Sequence, residues 1–365
     1  NEGGLNMNSN GGKLTIYDIA QKMNLSIATV SRALNGKEDV NEETRKRILE
    51  TAREMGYKAS KTAASLSRKE KRFIAFFPEL IHDYDNEVRR GIQKAVADLQ
   101  DYHVSVEMRT IPRDPSQFAQ RLQEAAYKGY DGALMVPPEG EQALSEMIQQ
   151  LELGRMKVVT MTTDLDHRSR LFSVQSNGRV AGAMAGELLG TVLGPGRNVA
   201  LVTGQLTSWV HSRTAQGFME EVTRQGLCFA GVYEHHDLPS RAYLLAEQLL
   251  SEHPDLEGIY LATANSVTFC NHLVELGYAG KIRIVASDIF PQMIEFVRSG
   301  LVLATIFQNP FMQGRLATRY LFEYLVEGRR FEETEILLDP QIVLRSNLEL
   351  YEKKLGDVMN ADILI

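Results

Sequence analysis

The chain has 365 residues, which is too long for one domain and predicts two or three. Its composition, 44% hydrophobic and 24% charged, is that of a globular protein, and no run of about 18 apolar residues predicts a membrane-spanning helix. Charge is uneven: residues 13–72 carry 14 Lys and Arg against 8 Asp and Glu, whereas the whole chain has a net charge of −7. A basic segment on an acidic body attracts a polyanion to one surface only, which indicates DNA.

The first folded element is predicted to follow an Asn/Gly-rich start. Residues 1–12 have no apolar core, so we expect a disordered tail or tag there and no signal peptide. Thr15 then suits a helix N-cap, with Asp18 as an acidic residue in the first turn. Ile19 and Ala20 begin an apolar face at helical spacing. Asn24, which tolerates a left-handed backbone, ends this helix in a tight turn.

Two more helices are predicted directly afterwards. Ser26 can cap a second helix over residues 27–35, and Asn41 can cap a third over residues 42–55, which Gly56 ends. A helix, a tight turn and a second helix describe a helix-turn-helix, with the third helix closing a small all-α core.

The second helix carries an unusual polar face. Its polar residues are Ser26, Thr29, Ser31, Arg32 and Asn35. Short hydroxyl and amide side chains with one Arg suit contacts to phosphates and base edges, whereas a merely solvated helix usually carries Glu and Lys. The alternative at this point is an ordinary α-helical domain whose charges form a solvated face.

Three segments carry a resemblance to a known family. They are TIYDIAQKMNLSIATVSRALNG at 15–36, VNEETRKRILETAREMGY at 40–57 and AASL at 63–66. Over about sixty residues they resemble the headpiece and hinge of the lactose-repressor (LacI/GalR) family of bacterial transcription regulators. The resemblance implies that residues 13–58 bind DNA and that the second helix enters the major groove.

The resemblance also implies roles for single residues. The base-reading positions are Ile27, Ala28 and Arg32. The remaining DNA contacts are expected from Thr15, Ser26, Thr29, Ser31 and Asn35. An Arg can form a bidentate pair with a guanine, while the two apolar residues offer contact to a thymine methyl group. One departure is Asn24, where the family usually has Gly in the turn.

Residues 59–71 form the predicted hinge, which is too short and too polar to be a stable helix alone. By resemblance it folds on operator DNA, pairs with its partner's copy and inserts Leu66 into the minor groove as an apolar wedge. The alternative is a flexible linker, and both descriptions hold if the segment folds only on DNA. Ala59-Ser60 replaces the family's usual Pro-Asn, which leaves the entry less rigid. The RKEKR run at 68–72 either lies beside phosphates or is a solvated connector.

From residue 73 onward, short apolar runs alternate with helical stretches. The predicted strands are 73–77, 104–109, 132–136, 157–161, 172–174, 198–203, 229–234, 258–262, 282–286 and 301–307. The predicted helices are about 86–100, 115–127, 141–153, 178–193, 212–225, 240–252, 265–276 and 310–327. Continuous apolar strands joined by helices predict parallel sheets covered on both faces. Two successive sets predict two doubly wound α/β lobes, with ligands at the carboxyl ends of the strands.

The predicted second domain covers residues 72–350 and resembles the type I periplasmic sugar-binding protein fold, the effector domain of the same family. Lobe 1 is expected at about 72–173 and 304–330, and lobe 2 at about 174–303 and 331–350. Residues 351–365 are expected to be a C-terminal tail that is too short for a sustained heptad repeat, which argues against a coiled-coil tetramer without excluding it.

The resemblance implies an effector site between the lobes. The expected contacts are Tyr84, Asp85, Glu139, Trp209, His211, Arg213, Asn265, Asp288 and Gln308. One departure is that Ser212 occupies the place of the family's usual cleft Arg, with Arg213 one residue later. The alternative role for Asn265, Asp288 and Ser212 is helix N-capping, because all three lie where helices are predicted to begin.

The resulting hypothesis is a homodimeric, ligand-controlled transcription regulator, expected to be a repressor. Two headpieces require a pseudo-palindromic double-stranded operator, and the effector is expected to be a sugar or sugar derivative. We expect a cytoplasmic, nucleoid-associated protein without a membrane partner. Cys228 and Cys270 lie far apart in apolar contexts, which predicts buried reduced thiols.

Two other functions compete with this hypothesis. The first is a sugar-binding transport component, against which the headpiece argues. The second is an enzyme, in which His211 and Asp288 could form an acid/base pair, but no nucleophile elbow, nucleotide loop or metal-ligand spacing supports it. We therefore expect no catalytic residues, no metal and no cofactor.

Overall fold

A computed structural model of the chain describes residues 16–34, 40–56, 70–79 and 83–356, with only the backbone of 353–356. The chain divides into two compact units, residues 1–69 and residues 70–365. Several predictions lie outside the described residues: the tail 1–12, Thr15, Asn35, the hinge up to residue 69 with Leu66, and the last residues, 357–365.

The first unit contains the three predicted helices, α1 (Ile16–Met23), α2 (Ile27–Leu34) and α3 (Glu42–Glu54). The Oγ atom of Ser26 accepts a hydrogen bond from the backbone N–H of Thr29 at 3.0 Å, and Asn41 Oδ1 accepts one from Glu43 at 2.9 Å. Asn24 has φ of +51°, the left-handed conformation that lets α1 end and α2 begin within a few residues. The predicted turn and both caps are confirmed.

A small apolar core joins the three helices. Its buried members are Ile19, Ala20, Val30, Ala33, Val40, Ile48 and Ala52. Helical spacing also predicts Leu49 in this core, but it is 48% exposed, and α3 contributes Ile48 and Ala52 instead.

Lobe 1 of the second unit is built on a six-stranded parallel sheet in the order β11-β5-β4-β3-β1-β2. Its strands are β1 (Lys71–Pro78), β2 (Val104–Ile111), β3 (Gly132–Met135), β4 (Lys157–Met161), β5 (Phe172–Ser176) and β11 (Glu335–Leu338). Its helices are α4 (Asp83–Asp98), α5 (Pro115–Tyr127), α6 (Glu141–Gln149) and α12 (Pro310–Phe322), the last continuing as a π-helical turn (Glu323–Glu327).

Lobe 2 has a similar sheet in the order β12-β10-β9-β8-β6-β7, with only β12 antiparallel to its neighbour. Its strands are β6 (Asn198–Thr203), β7 (Cys228–Glu234), β8 (Leu256–Ala262), β9 (Arg283–Ser287), β10 (Val302–Phe307) and β12 (Gln341–Leu344). Its helices are α7 (Gly178–Leu193), α8 (Trp209–Arg224), α9 (Pro239–Glu252), α10 (Ser266–Glu275), α11 (Pro291–Ser299) and α13 (Leu348–Gly356).

Both sheets are covered by helices on two faces, as the continuous apolar strands predict. In β1, Phe73 and Phe77 join one apolar cluster while Ile74 and Phe76 join another on the opposite face. The central strands therefore have no solvated side. The predicted fold, a small all-α domain followed by two parallel-sheet α/β lobes, is confirmed.

The assignment of strands to lobes needs three corrections. The strand at 302–307 was expected to return to lobe 1, but it pairs with β9 in lobe 2, and only the helix after it packs in lobe 1. The strand at 335–338, expected in lobe 2, pairs with β5 in lobe 1, and β5 itself runs to Ser176. An apolar run shows that a segment is a buried strand, but it does not show which sheet takes it.

The ends of the elements give further differences. Residues 351–356, predicted as tail, continue α13, where the buried Tyr351 packs edge-on against Phe307. Cys270 is buried as predicted, whereas Cys228 is exposed at the start of the edge strand β7. No helix among the described residues is long and apolar enough to cross a membrane.

Close helix–helix packing recurs in the two lobes. A Cβ atom at Gly182 of α7 would lie 2.0 Å from the carbonyl oxygen of Thr214 in α8, and one at Gly217 would lie 1.9 Å from that of Arg179. In lobe 1, Gly91 of α4 and Gly314 of α12 would meet opposing backbone oxygens at 1.9 and 2.1 Å. Each lobe thus depends on glycine to bring two helices into backbone contact.

Candidate functional site

The first candidate site is the exposed side of α2. Val30 and Ala33 point into the small core, so the opposite side of the helix faces outward. Ile27, Ala28 and Arg32 are exposed there, with Ile27 at 50% exposure. Helical spacing places Ala28 and Arg32 on one row of the helix surface and Ile27 and Ser31 on the adjacent row. The three predicted base-reading residues therefore share one face, and an exposed isoleucine at its edge is available for apolar contact.

The other predicted contacts of α2 also lie on or beside this face. Ser26 is exposed and joins Thr29 by a hydrogen bond between their hydroxyl groups at 2.8 Å, while Thr29 and Ser31 are half-buried. Of the RKEKR run, Lys71 and Arg72 belong to β1 of the second unit. Lys71 pairs with Asp131 at 2.7 Å, and Arg72 stacks on Tyr130, so these two residues serve the second unit rather than a free linker.

The second candidate site is a cleft between the two lobes with about 1000 Å³ of empty space, part of it open to solvent. Six of the predicted effector contacts line it: Tyr84, Asp85, Glu139, His211, Asp288 and Gln308. Polar residues that the sequence analysis did not predict line it as well: Arg113, Glu141, Thr162, Thr163, Gln205, Ser208, Asp237, Thr263 and Ser287. A cavity of this size suits a small organic ligand.

Three predicted contacts do not line the cleft. The guanidinium of Arg213 stacks over the Trp209 ring, 4.6 Å from its centroid, and forms an ion pair with Glu335 of β11 at 3.0 Å. Asn265 is buried at the N-cap of α10, where its backbone N–H donates to Thr263 Oγ1 at 3.0 Å. Trp209 and Arg213 diverge from the cleft because α8 begins at Trp209 rather than near 212, which changes the direction of the side chains in its first turns. Asn265 is buried at the start of α10 and lies outside the lining for a separate reason, the packing around that N-cap.

Asp288 is the most constrained side chain of the cleft. It is 2% exposed and has φ of +62°, a conformation that is costly for a residue other than glycine. Gln308 donates to its two carboxylate oxygens from the backbone N–H and from Nε2, each at 2.8 Å. Burial raises the pKa of Asp288 to about 7, although these hydrogen bonds oppose the shift. Backbone strain retained at a cavity wall is typical of a binding position rather than of a helix cap, and the cap of α11 is Phe290.

Asp85 lies in the first turn of α4 at the same cleft. It is 7% exposed, and burial raises its pKa to about 7. The positive charge of Arg89 opposes this rise in pKa, and the negative charge of Asp237 adds to it. Arg89 stacks on Phe77 behind the cleft and donates to Thr110 at 3.0 Å.

Glu141 connects the two lobes across the cleft. It begins α6 of lobe 1, yet it accepts hydrogen bonds from Ser208 Oγ at 3.1 Å and from the backbone N–H of Trp209 at 2.7 Å, both at the start of α8 in lobe 2. Thr163 of lobe 1 donates to it at 2.6 Å. Since the N-cap Ser208 makes no capping bond of its own, the Glu141 carboxylate caps α8 from the other lobe.

The unpredicted residues share one property: they reach the cleft only through the tertiary fold. Glu141 has the sequence signature of an ordinary acidic first-turn residue. Arg113 forms an ion pair with Glu139 in lobe 1 and donates to the carbonyl oxygen of His236 in lobe 2 at 3.4 Å.

His211 and Asp288, which the sequence analysis considered as an acid/base pair, do not bond to each other in this way: His211 accepts a hydrogen bond from Gln205, and Asp288 accepts one from Gln308. No cluster of three His, Cys, Asp or Glu in the described part of the chain is placed to hold a metal ion.

The second unit is expected to lose stability as the pH rises, because burial raises the pKa of Glu141 to about 7 although its hydrogen bonds oppose the shift. A carboxyl with a raised pKa in the folded state stabilises that state below its ordinary pKa of about 4.5, and this contribution is lost as pH rises towards 7. Glu141→Gln should therefore flatten the fall of the unfolding midpoint between about pH 5 and pH 8. Glu146→Gln, on the exposed side of the same helix, is the control; equal slopes in wild type and Glu141→Gln would contradict the assignment.

A helix-turn-helix unit followed by a two-lobed α/β domain with a ligand-sized cleft is the combination expected of DNA-binding regulators with an effector domain. Comparison with family models agrees: residues 15–60 match the bacterial regulatory proteins of the lacI family, and residues 74–329 match a periplasmic binding protein domain. The chain belongs to the lacI family of transcription regulators. The alternative of a sugar-binding protein without a DNA role is not favoured.

Relatives and solved structures give the same picture. Catabolite control protein A of Priestia megaterium is 24% identical over 320 residues, which cover 86% of this chain and 92% of that protein. A glucose-galactose binding protein from Geobacillus stearothermophilus superposes with a TM-score of 0.67 at 23% identity, covering 77% of this chain and 99% of the other. A solute-binding protein from Burkholderia graminis in complex with D-arabinose gives 0.71 at 20% identity, covering 77% and 98%. At these identities the two structures define the fold of the second unit.

Proposed function

We propose that the protein is a cytoplasmic, homodimeric repressor that binds a pseudo-palindromic operator. A small effector, a sugar or sugar derivative, binds between the two lobes and either lowers or raises the affinity for the operator. One helix-turn-helix reads only a few base pairs, so two copies are needed for specific binding. In this proposal Arg32 pairs with a guanine, Ile27 and Ala28 contact bases through apolar groups, and Leu66 is the minor-groove wedge.

The composition of the cleft carries the effector part of the proposal. Asp85 comes from lobe 1 and Asp288 from lobe 2, and both line the same cavity. A ligand that contacts both has different affinities for open and closed lobes, and this difference in affinity is what couples two sites. The inter-lobe bonds of Glu141 lie at the same cavity, so a ligand that alters them changes the angle between the lobes.

Arg32→Ala tests the DNA part. An operator is first selected from a pool of randomised duplexes, and we expect it to contain two inverted half-sites. The variant should bind this operator about 10- to 100-fold more weakly, because a bidentate Arg–guanine pair contributes about 1–3 kcal/mol per site. Affinity is measured by fluorescence anisotropy at a fixed salt concentration.

The matched control is Arg53→Ala, which removes the same charge from an exposed position of α3. It should weaken binding to operator and to random DNA alike and only slightly, since it alters the electrostatic attraction alone. An equal loss of operator affinity in both variants would rule out the assigned role of Arg32. Selection of no preferred duplex by the wild type would overturn the proposed function itself.

A further inference from the structure

The cleft has an unusual balance of charge. Five carboxyl groups line it: Asp85, Glu139, Glu141, Asp237 and Asp288. Arg113 is the one Lys or Arg among the lining residues in the described part of the chain. Its guanidinium is already engaged by Glu139 and by the carbonyl oxygen of His236. The lining therefore holds more acidic than basic groups, and its net charge is negative once the carboxyl groups with a pKa of about 7, Asp85, Glu141 and Asp288, are ionised.

Other basic groups near the cleft do not restore the balance. The Nδ1 atom of His211 accepts a hydrogen bond from the backbone N–H of Gln205 at 3.1 Å, so this nitrogen is already engaged within lobe 2. Arg89 lies behind Asp85, stacked on Phe77, and is outside the lining. With Arg113 in the lining and Arg89 outside it, the cleft has more carboxyl groups than basic groups.

Two carboxyl groups from opposite lobes line this part of the cleft, and the only compensating charge near Asp85 in the described residues is that of Arg89, which lies outside the lining. Asp85 is more than nine-tenths buried at the wall of the cleft, and neither of its oxygens accepts a hydrogen bond from a residue that the structure describes. Asp237 of lobe 2 lies in a loop where it and His236 both have positive φ. Gly204 makes room for it, since a Cβ atom there would lie 2.6 Å from Asp237 Oδ1.

The carboxyl groups of Asp85 and Asp237 come from opposite lobes and line the same cavity. The negative charge of Asp237 adds to the rise in the pKa of Asp85 that burial causes, while the charge of Arg89 opposes it. Two like charges brought together in a partly desolvated cleft repel each other, and a cation between them converts the repulsion into attraction.

We propose that the effector carries a positive charge, as in an amino sugar or another polyhydroxylated amine, and that its ammonium group lies between Asp85 and Asp237. The inference rests on the proposed function, because it names the class of effector for the same cleft. Hydroxyl groups of such a ligand have acceptors in Asp288 and Glu141, and its C–H faces meet Pro78 and Val136. Sugar phosphates and sugar acids are excluded, since each would add an anion to a wall of carboxylates.

The test compares neutral and charged members of matched pairs on the full chain. Glucose, galactose and mannose are each compared with the 2-amino-2-deoxy sugar, its N-acetyl derivative and the 6-phosphate, by thermal shift and then by calorimetry at about pH 7. We expect at least one amino sugar to bind about ten-fold or more tightly than its neutral parent, and N-acetylation to abolish the advantage because it removes the charge. Rising salt should reduce the same advantage.

In Asp237→Asn, the dissociation constants of the amino sugar and of its neutral parent should differ by no more than about three-fold. Asp339→Asn, an exposed carboxylate outside the cleft, removes the same charge and should leave the ratio unchanged. If Asp237→Asn does not fold, Asp85→Asn makes the same comparison. Tighter binding of a neutral sugar or a 6-phosphate, or no binding of any amino sugar, overturns the charge inference. The operator selection is independent of these outcomes. A failure of the charge inference would therefore not contradict the proposed function as a DNA-binding regulator.

Discussion

Asp164→Ala should destabilise the two-lobed unit by about 3–5 kcal/mol, because it leaves the guanidinium of Arg170 buried without its counter-charge. The two side chains are 1% and 2% exposed. Arg170 donates to the two carboxylate oxygens from Nε at 2.7 Å and from Nη2 at 2.6 Å, the bidentate geometry of a strong pair. Thr160 and the backbone N–H of Leu165 donate to the same carboxylate, so the group is fully satisfied as it stands.

The measurement is urea unfolding of the full chain followed by tryptophan fluorescence and circular dichroism. Asp166→Ala, two residues away, removes a half-buried carboxylate paired with the exposed Arg168 and should cost much less, because solvent reaches and screens that pair. The double variant Asp164→Leu with Arg170→Met should recover most of the lost stability, since it leaves no buried charge. A double variant no more stable than Asp164→Ala would show that the network, rather than the unpaired charge, determines the effect.

This pair shows where sequence reasoning stops. Asp164 and Arg170 lie in a polar loop, DLDHRSR, in which three Arg or His and three Asp or Ser alternate without a pattern that distinguishes a buried pair from a solvated one. Only the packing of the loop against β4 and the residue before β11 takes these two side chains out of water, as the bond from Arg170 to the carbonyl oxygen of Thr334 shows. The contact spans 164 positions of the chain, and no local signal encodes it.

Elements with a local signature were predicted correctly. The strand at 157–161 and the helix at 178–193 coincide with the predicted ranges, because each is an uninterrupted run between clear turn residues. The helices of the headpiece were predicted for the same reason, with Asn41 as a cap. Short edge elements such as β11 and β12 were missed, since four residues with mixed burial carry too little periodicity.

The cleft shows the same division. Asp288 and Gln308 were predicted from the family resemblance, and both directly follow strands, where ligands of α/β folds bind. Glu141 and Asp237 were not, because their importance depends on which residue of the opposite lobe lies against them. Trp209 and Arg213 were expected in the cleft, but α8 begins at Trp209, and the guanidinium of Arg213 stacks over the Trp209 ring and pairs with Glu335. Residues whose role depends on the geometry between the lobes could therefore not be predicted from the sequence.

Gly182→Ala should destabilise lobe 2 by about 2–3 kcal/mol, because the new methyl group would lie 2.0 Å from the carbonyl oxygen of Thr214 and 2.7 Å from the backbone nitrogen of Phe218. Neither atom is the end of a flexible side chain, so α7 and α8 must separate. The better helix propensity of alanine, about 1 kcal/mol, offsets only part of this overpacking cost.

The unfolding midpoint in urea measures the effect, and Val192→Ala, at a 46% exposed position of the same helix, is the control that should stay close to wild type. Gly314→Ala makes the corresponding change in lobe 1, where the methyl group would lie 2.1 Å from the carbonyl oxygen of Val88. Because the two lobes use the same glycine contact, the two variants should lose similar stability. Full stability of Gly182→Ala would mean that the helices separate at little cost, and that backbone contact does not determine their spacing.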